Sequence, residues 1–200
     1  MSANLAARSA PALIESAPAV NYLSNTVYIG SNFAGTERLF AVDGLEGDEN
    51  WFFNTSQGIL TAAAIDLEGD TYVAGQNGQL FALTVTGDPR EDWPDNPLNW
   101  ADTIESSPTL DNDGTVYFGS DDRRLYAVNA GEGTLRWSIT TRDRITTSPL
   151  LAPDGTLYVG SNDGTFYAIS TRSTGLAESS WPTLGADSQR TGQISLEPLD

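Results

Sequence analysis

The sequence predicts an all-β protein of the β-propeller class, with about four four-stranded antiparallel blades. Three observations support this prediction. A unit of roughly 44 residues recurs four times along the 200-residue chain, each unit holds two short apolar and aromatic runs, and turns rich in Asp, Asn and Gly separate the runs. A unit of that length accommodates four short strands and leaves no room for a helix.

The first run of every unit places a Tyr between apolar residues and ends in Gly. The four runs are residues 27–30, 71–75, 116–119 and 157–160. Their Tyr residues, Tyr28, Tyr72, Tyr117 and Tyr158, are spaced by 44, 45 and 41 positions. Aromatic and β-branched residues favour strands, so this run predicts an inner strand of each blade.

A second run follows in each unit and carries an Ala at its third position. These residues are Ala41, Ala82, Ala127 and Ala168, and the Trp residues that follow them are Trp51, Trp93, Trp137 and Trp181. We interpret the eight residues as structural docking elements. An Ala leaves a recess, and a Trp ring that lies in a recess on the adjoining blade buries about 150–250 Å². Such contacts would connect the blades in series.

Asp-Gly pairs separate several of the runs. They end at Gly114, Gly155 and Gly164. Gly reaches the positive φ that tight hairpin turns require, so these pairs predict short connections between neighbouring antiparallel strands.

The composition excludes several classes of chemistry. The chain has no Cys and no His, which removes disulfides, the usual zinc sites, thiol nucleophiles and Ser-His-Asp hydrolysis. The formal net charge of −17 argues against nucleic acid as a partner. No run approaches the roughly 18 apolar residues of a membrane helix, so we expect no membrane span, and no leader segment is visible.

Two stretches carry a resemblance to a known family. Residues 41–51 and 127–137 resemble the eleven-residue tryptophan-docking motif of quinoprotein-type, or pyrroloquinoline-quinone-like, propeller repeats. Residues 82–93 carry one extra residue, and residues 168–181 are longer still. The segment 180–192 resembles the closing segment of related repeat proteins, so the resemblance covers about residues 15–192.

The resemblance implies a division of the chain into blades. We expect an N-terminal extension at 1–14, blades at about 15–60, 61–104, 105–145 and 146–192, and a C-terminal tail at 193–200. Family members usually have more than four blades. Three arrangements therefore stay open: a C-terminal fragment of a larger ring, a half-ring that pairs with another chain, or a ring that closes alone.

The resemblance also frames the function. The family includes quinone-dependent dehydrogenases and the non-catalytic propeller of outer-membrane barrel assembly, and this chain is more similar to the latter. We expect a non-catalytic scaffold without catalytic, cofactor-binding or metal-binding residues. It would bind a protein partner, or self-associate, through exposed blade faces. The resemblance implies a location in the cell envelope, in the periplasm or outside the cell.

Two alternative functions stay open. A fragment of a quinone-dependent dehydrogenase would bind pyrroloquinoline quinone with calcium, and Asp111, Asp113 and the pair Asp121 and Asp122 offer oxygen ligands, although hairpin turns also explain them. A glycan-binding propeller would use the segment that breaks the repeat with two Pro and two Trp. Its candidate binding residues are Trp93, Asp95, Asn99 and Trp100.

Overall fold

The computed structural model describes residues 14–32, 35, 37–179 and 181–186. In this part of the chain the regular secondary structure consists of strands, arranged in four antiparallel sheets. The predicted all-β propeller class is confirmed. The C-terminal tail at 193–200, the end of the closing segment at 187–192 and all of the N-terminal extension except Ile14 lie outside the described residues.

The strands follow one another along the chain within each sheet. The first blade contains β1 (Ala19–Asn21), β2 (Thr26–Gly30), β3 (Arg38–Asp43) and β4 (Glu49–Asn54), and the second contains β5 (Ala64–Ile65), β6 (Thr71–Ala74) and β7 (Leu80–Leu83). The third blade contains β8 (Thr109–Leu110), β9 (Thr115–Gly119), β10 (Arg124–Asn129) and β11 (Leu135–Thr140), and the fourth contains β12 (Leu150–Leu151), β13 (Thr156–Gly160) and β14 (Phe166–Ser170).

The second and fourth blades have three strands instead of the predicted four. In the second blade, the Pro-containing segment after β7 takes the outer position. Leu98 exchanges two backbone hydrogen bonds with Leu80, at 2.9 and 3.0 Å, and the Asn96 side chain bonds the backbone of Ala82. Pro lacks an N–H and cannot complete a strand ladder, so isolated bonds replace a regular strand.

The predicted Asp-Gly turns connect neighbouring strands. Gly114, Gly155 and Gly164 have φ values of 67°, 79° and 81°, in the left-handed region that favours Gly. Each lies between two strands of one blade. These short turns contribute to the meander topology of the third and fourth blades.

Successive blades pack face to face. We call the sheet face that carries the Tyr and Ala of the repeat the front face, and the opposite one the back face. Three apolar clusters join the front of one blade to the back of the next. In the described residues no such cluster joins the fourth blade to the first.

The burial of each strand depends on whether its blade lies inside the arc or at one of its ends. β6 and β7 are buried at every position, as is β9, because both faces of the inner blades are covered. β2 alternates between buried and half-buried residues, and β14 alternates between exposed and half-buried residues. The four blades thus form an open arc: within the described residues, no other blade packs on the back face of the first blade or on the front face of the fourth.

The segment after β14 returns along the inner edge of the arc. The Leu110 N–H donates to the Pro182 carbonyl at 2.7 Å, and the Ile65 N–H donates to the Trp181 carbonyl at 2.8 Å. Ala177 donates in turn to the Leu110 carbonyl at 3.0 Å. The chain therefore covers the inner edges of its own second and third blades.

Candidate binding surfaces

Two of the predicted docking Trp residues lie on a Gly of the next blade. The Trp51 Nε1 donates to the Val85 carbonyl at 3.0 Å, and a Cβ added to Gly87 would lie 2.6 Å from the ring. The Trp93 Nε1 donates to the Ala130 carbonyl at 2.7 Å, and a Cβ on Gly133 would lie 2.8 Å from the ring. Only Gly permits this approach, and the sequence reasoning did not identify it.

The Ala residues have a related position within their own blades. Ala41 lies between Tyr28 and Trp51 across three neighbouring strands. Because Ala is small, the Tyr and Trp rings on either side of it meet with their centroids 5.7 Å apart. The corresponding ring distances are 5.9 Å in the second blade and 5.7 Å in the third, next to Ala82 and Ala127.

The fourth Ala and Trp do not repeat this arrangement. Ala168 is exposed on the front face of the fourth blade. Trp181 lies on the returning segment, where it packs into the cluster between the first and second blades and stacks with Tyr22 at 6.5 Å. The spacing of the Trp residues placed Trp181 in the fourth blade, whereas the structure places it across the arc.

The candidate glycan-binding residues are divided between core and surface. Trp93 is 3% exposed and its ring is covered by the third blade, so it offers no surface for a ligand. Asp95 and Asn99 are exposed, and Trp100 is 41% exposed. Trp100 borders a cleft of about 520 Å³ together with Arg123, Arg124, Tyr126 and Leu135.

A charged cluster that the sequence did not suggest lies between the second and third blades. The Arg90 guanidinium contacts the carboxylates of Asp70 at 3.3 Å and Asp66 at 3.8 Å, pairs closely with Asp92, and donates to the Tyr72 hydroxyl at 3.0 Å. Burial raises the pKa of Asp66 to about 6, and the Asp70 charge acts in the same direction. The cluster borders a cleft of about 570 Å³.

Two of the four candidate calcium ligands, Asp111 and Asp122, accept hydrogen bonds within their own turns. Asp111 accepts hydrogen bonds from the N–H groups of Asp113 and Thr115 and from the Tyr117 hydroxyl, at 2.7 to 2.9 Å. Asp122 accepts from the Arg124 N–H and the Tyr126 hydroxyl. Within the described residues no three Asp, Glu, His or Cys side chains come together as metal ligands would. The hydrogen bonds of Asp111 and Asp122 are those of hairpin-turn carboxylates.

The two end faces of the arc carry apolar residues that belong to none of the three clusters. Val27, Ile29, Phe40 and Val42 are half-buried on the back face of the first blade. On the front face of the fourth blade, Phe166 is 70% exposed and stacks on Tyr158 at 5.5 Å. The sequence could not identify these faces, because the same residue types are buried in the inner blades.

No helix in the described residues is long and apolar enough to cross a membrane.

Comparisons with known proteins bear on the family and on the fold. A family profile described as outer membrane protein assembly factor BamB matches residues 90–191, just over half of the chain. The crystal structure of BamB from Moraxella catarrhalis matches with a TM-score of 0.67 and 21% identity, over 82% of this chain and 49% of that one. The present chain therefore spans about half the length of the Moraxella protein. No curated protein sequence matches.

Two designed proteins share the fold. The computationally designed Ika4 protein matches with a TM-score of 0.68 and 16% identity, over 85% of this chain and 99% of its own. The designed Ika8 protein matches with a TM-score of 0.63 and 16% identity, over 78% of this chain and 45% of its own. At these identities the similarity concerns the fold alone.

Proposed function

We propose that this chain, which belongs to the family of the outer membrane protein assembly factor BamB, is a non-catalytic β-propeller that binds protein. Fold alone does not define a function, so the proposal rests on a surface. That surface is the pair of open sheet faces at the two ends of the arc.

The residues of the open faces support protein binding. Phe40 and Val42 on the first blade occupy the positions of Phe81 and Leu83 on the second, which are 4% and 0% exposed in a blade-to-blade interface. Burial of apolar surface of this kind is favourable by about 25 cal/mol per Å². A contiguous exposed apolar surface is typical of a binding site.

A second copy of the chain is the partner that these faces fit most directly. Within the described residues, one chain has a front face, with Tyr158 and Phe166, and a back face, with Phe40 and Val42, on which no further blade packs. Every interface inside the arc joins one face of each kind. Two copies arranged head to tail would repeat that contact at both junctions.

Light scattering on the purified chain tests this proposal. We expect a mass near twice 21.4 kDa that persists as salt is raised, because apolar contacts are not weakened by charge screening. Phe40→Arg should return the mass to that of one chain, and Leu45→Arg, at an 84% exposed turn residue, is the charge-matched control. A wild-type mass of one chain at all concentrations would contradict the proposal.

The proposed location and the absence of catalysis follow from the family. We propose that the chain acts in the cell envelope, in the periplasm or beyond, without a quinone or metal cofactor. Asp111, the most buried of the candidate calcium ligands, accepts hydrogen bonds from the backbone of its own turn. If the chain belonged to a quinone-dependent enzyme, pyrroloquinoline quinone with calcium would raise its melting temperature; we expect no such change.

Glycan binding is the second candidate, and one observation favours it. Trp100 presents an exposed indole beside the cleft of about 520 Å³, and aromatic rings of this kind stack on sugars. An oligosaccharide that raises the melting temperature of the wild type but not of Trp100→Ala would support this candidate. If only the blade faces bind, the oligosaccharide should leave the melting temperature of the wild type unchanged.

A further inference from the structure

The cleft of about 520 Å³ beside Trp100 contains two Arg side chains without a partner. Arg123 and Arg124 line it where the segment after β7 meets β10 and β11. Neither guanidinium forms an ion pair or a hydrogen bond with a described residue, whereas those of Arg90 and Arg144 pair with Asp. In a chain of net charge −17, two adjacent unpaired cations indicate a site for a negatively charged ligand.

The carboxylate that borders the same cleft is already bonded to other donors. Asp122 accepts a hydrogen bond from the Arg124 N–H at 3.0 Å and another from the Tyr126 hydroxyl. Neither of these bonds involves a guanidinium. The cleft therefore combines two positive side chains with one carboxylate, and its cations remain available to a ligand.

The backbone of Arg123 adopts a conformation that the repeat elsewhere gives to Gly. The residue six positions after the repeat Tyr is Gly78 in the second blade and Gly164 in the fourth, but Arg123 in the third. Their φ values are 78°, 81° and 72°. This left-handed region is unfavourable for a residue with a Cβ, and such residues are concentrated at functional sites. The turn thus carries a guanidinium where the fold requires only Gly.

Hydrogen bonds fix the turn that carries the two Arg residues. The Arg123 N–H donates to the Ser120 carbonyl at 3.2 Å, and the Arg123 carbonyl accepts from the N–H and the hydroxyl of Thr141 at 2.8 and 3.0 Å. Arg124 begins β10 and is paired with Thr140 of β11. Because the backbone is already ordered, a ligand has to order only the side chains.

The segment that carries Trp100 is fixed on both sides of it. Leu98 exchanges two backbone hydrogen bonds with β7, and the Thr103 carbonyl accepts from the Asp121 N–H at 3.0 Å. Trp100 is 41% exposed, and Leu135 of β11, which borders the same cleft, is 46% exposed. Since the second blade has no regular fourth strand here, β11 stays partly exposed and the indole lies at the opening.

These groups fit an anionic sugar. An indole packs on the C–H face of a sugar ring, and a guanidinium binds a carboxylate through two parallel hydrogen bonds. A volume of about 520 Å³ lies within the range of small-ligand sites, about 300–1,000 Å³. Protein partners bind instead through side chains buried in enclosed pockets, whereas Trp100 and Leu135 stay nearly half exposed. The sugar is therefore favoured over an acidic peptide.

We propose that this cleft binds an anionic saccharide built of uronate units, with one sugar ring on the Trp100 indole and carboxylates on Arg123 and Arg124. The proposal rests on glycan binding, the second candidate function, and names the class of sugar. It does not depend on the end faces of the arc. A uronate should leave the mass measured by light scattering unchanged, so failure of one proposal is distinguishable from failure of the other.

Titration calorimetry of the full chain with tetrasaccharides of galacturonate, glucuronate and mannuronate tests the proposal. Each is compared with its methyl ester, which keeps the sugar rings and removes the charge. We expect at least one uronate to bind about tenfold more tightly than its ester, with an affinity that falls as salt is raised. If no uronate binds, or if none binds more tightly than its ester, the proposal is wrong.

The Arg123→Gly variant separates binding from folding. The affinity for the uronate should fall about tenfold, while the melting temperature should rise by about 2 °C, because Gly is unstrained at φ 72°. Arg172→Gly is the matched control, since Arg172 is exposed, has φ 68° and does not line the cleft. It should leave the affinity unchanged. Wild-type affinity in Arg123→Gly, or an equal loss in both variants, would overturn the proposal.

An acidic peptide is the competing ligand. A capped peptide of four Glu residues carries the same charge as a tetrauronate but has no sugar ring. We expect it to bind about tenfold more weakly than the best uronate, and Trp100→Ala should weaken the uronate alone. Peptide binding as tight as that of the uronate, and lost in Arg123→Gly, would assign the cleft to an acidic protein segment and reject the sugar.

Discussion

The inner blades and the end blades of the arc are built from the same repeat, yet they bury it differently. β6 and β7 of the second blade are buried at every position, whereas β2 and β3 of the first blade are half-buried at every other one. The residue types at corresponding positions are nearly the same. The difference teaches that the repeat specifies a blade with neighbours on both sides, and that its position in the arc decides which faces are covered.

The largest expected effect separates a docked Trp from an exposed one. Trp93→Ala should lower the free energy of unfolding by about 3–5 kcal/mol, because it removes a buried ring and leaves a cavity. Trp100→Ala, at a 41% exposed residue of the same blade, should cost about 0.5 kcal/mol or less. Urea unfolding of both variants provides the measurement, and equal costs would contradict the docking role of Trp93.

The next prediction compares the cost in stability of the same substitution at corresponding positions on the back faces of the second and first blades. Phe81→Ala should cost about 3–5 kcal/mol, because the ring is packed between two blades. Phe40→Ala, at the corresponding and half-buried position of the first blade, should cost about 1 kcal/mol in the dissociated chain. Measured at dilutions where the mass is that of one chain, a Phe40→Ala cost close to that of Phe81→Ala would show that the back face of the first blade is covered.

The smallest expected effect concerns pH. The pKa of Asp66 is raised to about 6, so the folded chain holds a proton that the unfolded chain releases. Two pKa units correspond to about 2.7 kcal/mol, and solvent screening at this partly exposed carboxyl reduces the effect to about 1 kcal/mol. This stability is present below the ordinary carboxyl pKa and is lost as the pH rises from about 4 to 6. Thermal unfolding at both pH values should show a smaller loss for Asp66→Asn than for the wild type.

The exposed carboxylate Asp95 provides the control for that measurement. Asp95→Asn removes one negative charge from the surface of the same blade and so controls for the change in net charge that Asp66→Asn brings. An unchanged pH dependence in Asp66→Asn would mean that burial between the second and third blades does not hold the proton.

The sequence predicts the propeller class, the inner strands and the Gly turns, because these depend on short-range patterns. Residues 89–98 do not form a regular strand because they contain several Pro residues, and this too is a short-range feature of the sequence. Trp181 could not be placed, since its position depends on a returning segment that pairs with Ile65, more than a hundred residues earlier. Nor could exposure at Phe40 and Phe166 be predicted, because it depends on which neighbours a blade has.

The central claim is that the two end faces of the arc are open while the inner faces are closed. Hydroxyl-radical footprinting of the chain, at a concentration where light scattering gives the mass of one molecule, measures this directly. The account predicts strong oxidation of Phe166, intermediate oxidation of the half-buried Phe40, and protection of Phe81 and Phe118, which are 4% and 2% exposed. Protection of Phe40 and Phe166 in the single chain would mean that the first and fourth blades cover each other, and it would contradict the open arc.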